Sequence, residues 1–236
     1  DLDVVQHQLF SLLGISDAFV DEGVGQFGLR NIVMTIGDTF LEVVSPVQEQ
    51  TTAGRLLQRR GGDGGYMVIV QVDDLALAKQ RLAETDIRVV WEADAGKARA
   101  IHLHPRDVPG ALPSLDQMEP PEAWYWAGPD WQGRAAVHAL AITGAQVQVQ
   151  DPVSAAERWS QAYGEPVRLR DGMPLLAMSD TEVRFVEIFD GRGEGLQGID
   201  LQCHDVAAML ARAESVDLPV NGSTVTACGT EFHLSD

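Results

Sequence analysis

Apolar residues recur at helical spacing over residues 1–14 (DLDVVQHQLFSLLG), between an aspartate suited to cap a helix and a glycine suited to end one. Residues 151–164 (DPVSAAERWSQAYG) repeat that pattern without a gap, with Trp159 and Tyr163 where the first segment has Leu9 and Leu13. Both segments predict amphipathic helices. Residues 34–44 and 176–186 are β-rich runs broken by a short polar turn, and each predicts a hairpin. Residues 65–74 and 196–205 predict a strand that runs into a helix, capped by Asp74 in one case and Asp205 in the other. Those helices extend over 75–82 and 206–213, and a further helix is predicted over 51–60. Closing strands follow glycines at 110–115 and 229–234.

Taken in order, these elements form an internal repeat. The expected organisation is a first copy at 1–116, a Pro/Trp-rich linker at 117–133, and a second copy at 134–236. The linker holds Pro120, Pro121 and Pro129 with Trp124, Trp126 and Trp131. Its tryptophans carry enough apolar surface that it is expected to pack down rather than float. The fold class expected is α+β: two tandem βαβββ modules forming a curved, mostly antiparallel sheet with flanking helices. An alternating strand at 142–150 precedes the second helix, and nothing precedes Asp1. The first copy is therefore expected to lack its opening strand, through truncation or because another segment fills that edge.

Composition narrows the function classes. The chain has 236 residues, 45% of them hydrophobic, enough for real cores. Lys and Arg number 17 against 35 Asp and Glu, a formal charge of −18 that opposes nucleic-acid phosphates and anionic lipid surfaces. Neither nucleic acid nor membrane is an expected partner. Cys203 and Cys228 match no disulfide or zinc pattern and are expected as buried free thiols in a cytoplasmic protein.

Three segments of the first copy carry a family resemblance. They are Gly37-Asp38-Thr39-Phe40-Leu41-Glu42-Val43-Val44-Ser45-Pro46, then Gly64-Gly65-Tyr66 through Val72-Asp73-Asp74, then His104-Pro105-Arg106-Asp107-Val108-Pro109-Gly110-Ala111-Leu112. They are similar to the "GDT-x-hydrophobic-E-L", "GG…VDD" and "HPK…GGVL" signatures of the glyoxalase/vicinal-oxygen-chelate superfamily, most of all its methylmalonyl-CoA epimerase-like members. The resemblance implies a glyoxalase-like fold, which hosts lyases, epimerases, dioxygenases and drug-binding proteins. It also implies one divalent metal in the cup of the sheet, held by His, Glu or Gln, that polarises substrate oxygens.

At the positions the resemblance assigns to ligands, the first-strand residue is Gly144 in the second copy and is missing from the first. The next position falls on Met67 and Gly198, the hairpin position on Glu42 and Arg184, and the last-strand position on Ser114 and His233. Stable metal sites take three or more good donors. No cofactor is therefore expected, with a divalent metal left open and Glu42 or His233 as its ligand if one is present.

The expected pocket lining is Arg30, Asn31, Met67, Ser114, Arg184 and His233, with Glu42 as base or ligand. Arg59 and Arg60 end a helix before the glycine run 61–65, where a helix C-terminus already favours cations. Their functional reading is an anion clamp. His102 and His104 alternate along one strand and so share a face; they are read as structural ahead of a two-histidine metal face, His138 is read as structural, and His7 is expected to be exposed on its helix. Three functions stay open: a small-molecule-binding protein with an eroded metal site, a metal-dependent lyase or isomerase acting in the first-module cup, and an interaction unit that uses the linker. The partner expected is a small-molecule ligand, with an anionic one the reading that suits the clamp, and the chain is expected to be a monomer or a weak homodimer.

Overall fold

A computed structural model describes all residues 1–236. In chain order the elements are α1 (Leu2–Leu13), β1 (Leu29–Ile36), β2 (Thr39–Pro46), α2 (Thr52–Arg60), β3 (Met67–Gln71), α3 (Leu75–Ala83), β4 (Val89–Asp94), β5 (Ala98–Leu103) and β6 (Leu112–Met118). They continue as β7 (Ala139–Val149), α4 (Pro152–Tyr163), β8 (Val167–Arg170), β9 (Met173–Ala177), β10 (Glu182–Glu187), β11 (Gly195–Cys203), α5 (Val206–Ser215), β12 (Val220–Asn221), β13 (Thr224–Ala227) and β14 (Thr230–Ser235). The fold is α+β with mostly antiparallel sheets.

The helices end where their capping chemistry places them. Asp1 accepts from the Asp3 amide, Asp74 from Ala76 and Leu77, Asp151 from Ser154, and Asp205 from Ala208. Each carboxylate satisfies a first-turn N–H that no intrahelical carbonyl can reach. Gly14 and Gly164 close α1 and α4 in the left-handed region, at φ 71° and 82°. Gly37 turns the β1–β2 hairpin at φ 61°, and a Cβ there would lie 2.1 Å from the Leu140 carbonyl oxygen. Only glycine fits that turn.

The chain forms two compact units, and each takes segments from both sides of the Pro/Trp-rich stretch. The first comprises Asp1–Gly64, Trp126–Thr143 and Gly198–Asp236. In it β1 and β2 pair antiparallel, and β12-β13-β14-β11 run in that order, with β14 parallel to β11. The edge of β1 away from β2 makes isolated bridges to Phe19 and Ala135. Leu9, Leu12 and Leu13 of α1 and Met209 and Ala213 of α5 are buried with Ile32, Met34 and Ile36 of β1 and Leu201, Val225 and Phe232 of the other strands.

The second unit comprises Gly65–Tyr125 and Gly144–Gln197. Its strands run β3-β6-β5-β4 and β7-β10-β9-β8, with β3 parallel to β6 and β7 parallel to β10. Leu75, Ala78 and Leu82 of α3 and Ala156, Trp159 and Ala162 of α4 are buried with Ile101 and Leu115 of one sheet and Val147, Val183 and Phe185 of the other. Trp159 is wholly buried. It donates its indole N–H to the Pro109 carbonyl at 2.8 Å and meets Tyr163 edge-on at 5.1 Å between centroids.

The stretch between β6 and β7 packs down, as its tryptophans predict. It forms three short 3-10 turns, Pro121–Ala123, Tyr125–Ala127 and Trp131–Arg134. Arg134 ties the last of these by donating to the carbonyls of Ala127 and Pro129 at 2.7 and 2.8 Å. Both cysteines are free; Cys203 is buried and Cys228 half-buried. Burial pushes both thiols up to about 11, so they stay protonated at neutral pH. No helix is long and apolar enough to cross a membrane.

Because Trp159 joins helix and sheets by packing and by a buried hydrogen bond, Trp159→Ala is expected to cost about 3–5 kcal/mol of stability. Urea unfolding followed by circular dichroism measures it. A loss below about 1 kcal/mol would show that the core does not depend on this residue.

Candidate functional site

Strand parity decides which side chains are available. On β1, Ile32, Met34 and Ile36 face the α1 core, so Asn31, Val33 and Thr35 face the other way. In register with them on β2 stand Phe40 opposite Thr35, Glu42 opposite Val33, and Val44 opposite Asn31. This outer face of the hairpin brings Glu42 and Asn31 together as diagonal neighbours.

Asn31 is only 2% exposed, and its orientation is fixed at both ends. Its carbonyl oxygen accepts from the Asp21 amide at 2.9 Å, and its Nδ2 donates to Glu42 Oε1 at 2.5 Å. The Asp21 amide can only donate, so the Asn31 amide cannot be flipped without losing both bonds. Asp21 in turn caps the 3-10 turn Glu22–Phe27 through the Gly23 amide. Two residues along β2, Phe40 meets the buried Trp131 edge-on at 5.1 Å. Glu42 thus sits between an aromatic pair and a locked carboxamide.

The Glu42 side chain remains open to solvent, yet protein surrounds its carboxyl on most sides. That setting raises its proton affinity. Burial is the largest cause, the Asn31 hydrogen bond opposes it, and the nearby Asp21 charge adds to it. A carboxyl held above its ordinary range and reachable from water is suited to accept and return a proton.

The remaining sequence-predicted residues fall elsewhere. Arg30 precedes Asn31 and turns to the other side of β1, 3.3 Å from the Asp3 carboxylate. Arg59 is exposed and Arg60 only 3% exposed, so the two do not present a joint cationic surface. His233 lies on β14 opposite Asp200, with Thr224 Oγ1 at 3.3 Å from its Nδ1. A Cβ at Gly198 would come within 2.5 Å of the His233 Nε2, so the glycine makes room for the imidazole.

Met67, Ser114 and Arg184 belong to the second unit. Met67 and Ser114 share a face of the β3–β6 pair. Ser114 is wholly buried and donates to Asp116 at 2.5 Å. Arg184, on β10, is paired with Glu182 at 3.2 Å. His102 pairs with Ser114 across β5 and β6, and its ring lies 4.3 Å from Trp91. Burial pushes the His102 imidazole down to about 4, so it is neutral at physiological pH. His104 falls just beyond β5, in a turn where its Nδ1 accepts from the Arg106 amide. Nowhere do three or more His, Cys, Asp or Glu side chains come together in a way that could hold a metal ion.

The glyoxalase-like domain family matches residues 8–163. An ethylmalonyl-CoA/methylmalonyl-CoA epimerase of Cereibacter sphaeroides is 25% identical over 122 residues, which span 50% of this chain and 90% of that protein. The mitochondrial methylmalonyl-CoA epimerase of Bos taurus is 27% identical over 95 residues, and the chain spans 54% of that protein's length. Among solved structures, a variant 4-hydroxymandelate synthase from Streptomyces coelicolor superposes with a TM-score of 0.69 at 16% identity, covering 92% of this chain and 72% of that one. A hypothetical protein from Staphylococcus aureus superposes with a TM-score of 0.63 at 13% identity, covering 94% and 88%. These two structures are likenesses of fold.

The opposing influences on Glu42 are separable. Asn31→Ala removes the bond that favours the carboxylate and is expected to raise the Glu42 pKa further, whereas Asp21→Asn removes a repelling charge and is expected to lower it. Carboxyl-carbon NMR titration reads both, and shifts of the same sign in the two variants would overturn the assignment. Linkage gives a second expectation. The folded state holds the Glu42 proton more tightly than the unfolded chain, so this group's contribution to stability is lost as pH rises from the ordinary glutamate range through the raised folded value. Glu42→Gln is therefore expected to be more stable than the parent above that window and not below it, as measured by thermal melts across pH.

Proposed function

Since the chain belongs to the glyoxalase-like domain family, we propose that it binds a small organic molecule on the outer face of β1 and β2, with Glu42 and Asn31 as its polar contacts. One observation carries this reading: a solvent-open carboxyl of raised proton affinity, held by an amide locked through Asp21. A catalytic or binding group needs this kind of support from its neighbours, since an unsupported side chain loses its geometry to rotamer freedom. The ligand class we favour is a short-chain acyl thioester, because CoA-thioester epimerases are among the relatives.

The same carboxyl supports a second, catalytic reading as an isomerase. Glu42 would take the acidic proton next to the thioester carbonyl and return it to either face. Asn31 would hold the carboxyl in place and tune its basicity. Both readings are framed without a tightly held metal, because no three His, Cys, Asp or Glu side chains come together beside Glu42 and a stable site takes three or more protein donors.

Calorimetric titration of the whole chain with CoA, propionyl-CoA and methylmalonyl-CoA tests the binding reading. The expected result is saturable heat with the acyl thioesters, and at least a tenfold weakening, about 1.4 kcal/mol, in Glu42→Gln. No binding by any of the three would sink the thioester assignment. Deuterium incorporation next to the carbonyl in heavy water, followed by proton NMR, separates catalysis from binding. Elemental analysis showing a stoichiometric divalent metal that survives chelation would overturn the metal-free reading.

A further inference from the structure

Half of the outer face of β1 and β2 is closed and half is open. Val33 and Thr35 are 6% and 2% exposed, whereas the Glu42 side chain, opposite Val33, reaches solvent. The closing elements come from the stretch between β6 and β7. Ala135 bridges Thr35 in parallel, and the Ala136 amide donates to the Thr35 carbonyl at 2.8 Å. Trp131, 8% exposed, stands edge-on to Phe40, the residue opposite Thr35. Phe19 exchanges two backbone hydrogen bonds with Val33, at 2.7 and 3.0 Å. Its ring lies against Gly128 of the same stretch, where a Cβ would come within 2.3 Å of it.

The backbone holds Trp131 in place. It opens the turn Trp131–Arg134, closed by the Gly133 amide donating to the Asp130 carbonyl at 3.1 Å. Asp130 itself is left-handed at φ 56°, a conformation that persists at a residue other than glycine only where its surroundings fix it. Phe40 and Glu42 stand two residues apart on one strand, so their side chains leave the same face side by side. An aromatic ring held there removes water from one flank of the carboxyl, and loss of water favours the neutral form. The edge-on indole is what holds that ring.

We propose that Trp131 is the positioning residue of the Glu42 site: acting through Phe40, it walls the carboxyl off from water on one side and limits the ligand group that lies there to a short apolar one. The stretch joining the two copies is thereby part of the site. This inference rests on the reading of Glu42 as a ligand-binding group, and adds to it a residue and a size limit.

Carboxyl-carbon NMR titration of Glu42 in the whole chain tests the wall without any ligand. Trp131→Ala is expected to bring the Glu42 pKa down toward the ordinary glutamate range, and Trp131→Phe to preserve it, since a phenyl ring can make the same edge-on contact. Phe40→Ala is expected to lower it as well, with no further drop when Trp131→Ala is added, because one residue acts through the other. An unchanged pKa in Trp131→Ala, an equal drop in Trp131→Phe, or additive shifts in the double variant would overturn the proposal. Circular dichroism checks folding, and Trp131→Leu, which keeps an apolar anchor without an aromatic edge, replaces Trp131→Ala if that variant unfolds. Calorimetry reads the size limit: hexanoyl-CoA is expected to gain about tenfold on propionyl-CoA in Trp131→Ala. An unchanged ratio would overturn the limit. If no thioester binds the parent chain or a variant, the thioester reading fails while the titration still decides the wall.

Discussion

Burial of helices against one face of each sheet constrains everything else in this molecule. A strand alternates its side chains with a period of two, so every position facing α1, α5, α3 or α4 must be apolar, and any chemistry is confined to the opposite face. Ile32, Met34 and Ile36 take the helix side of β1, which leaves Asn31 facing away, toward Glu42. Val147 and Val149 take the helix side of β7 and leave Gln146 and Gln148. Shifting either strand by one residue would bury a carboxamide against leucines and expose the core. The apolar pattern that stabilises each unit therefore also positions its polar groups.

Helix boundaries are legible in the sequence because their signals are local. Asp1 and Gly14, or Asp151 and Gly164, bracket a helix by satisfying backbone groups within one turn, and no distant residue can override that. The β1–β2 turn is legible for the same reason, since Gly37 adopts a conformation closed to other residues. Glu42 is legible through the motif around it. Its partner is less so. Arg30 and Asn31 are equally polar and adjacent, and only the register of β1 decides that one meets Asp3 while the other meets Glu42. The lock on Asn31 comes from the backbone of Asp21, which leaves no mark in side-chain chemistry.

The polar faces of the second unit were illegible for a different reason. Alternation in residues 142–150 predicts a strand, but it cannot distinguish a solvated polar face from a buried one. Gln148 and Ser114 look like ordinary outward residues until tertiary packing covers them. Arg60 misleads in the opposite sense. Its place in the last turn of a helix suggests a solvated cation, and it is buried while its neighbour Arg59 is not.

The two polar faces differ in what they can do, and the difference follows from solvent and charge. Glu42 is titratable and reachable from water, so a proton it accepts can be exchanged. Its affinity for that proton is set by a contest in which burial and the Asp21 charge outweigh one hydrogen bond from Asn31. Gln148 cannot titrate and is wholly buried, so no proton exchange with water is open to it. Removing the Asn31 bond would raise the proton affinity of Glu42 further, and each additional donor to the carboxyl would lower it, so the single locked amide sets where that contest comes to rest.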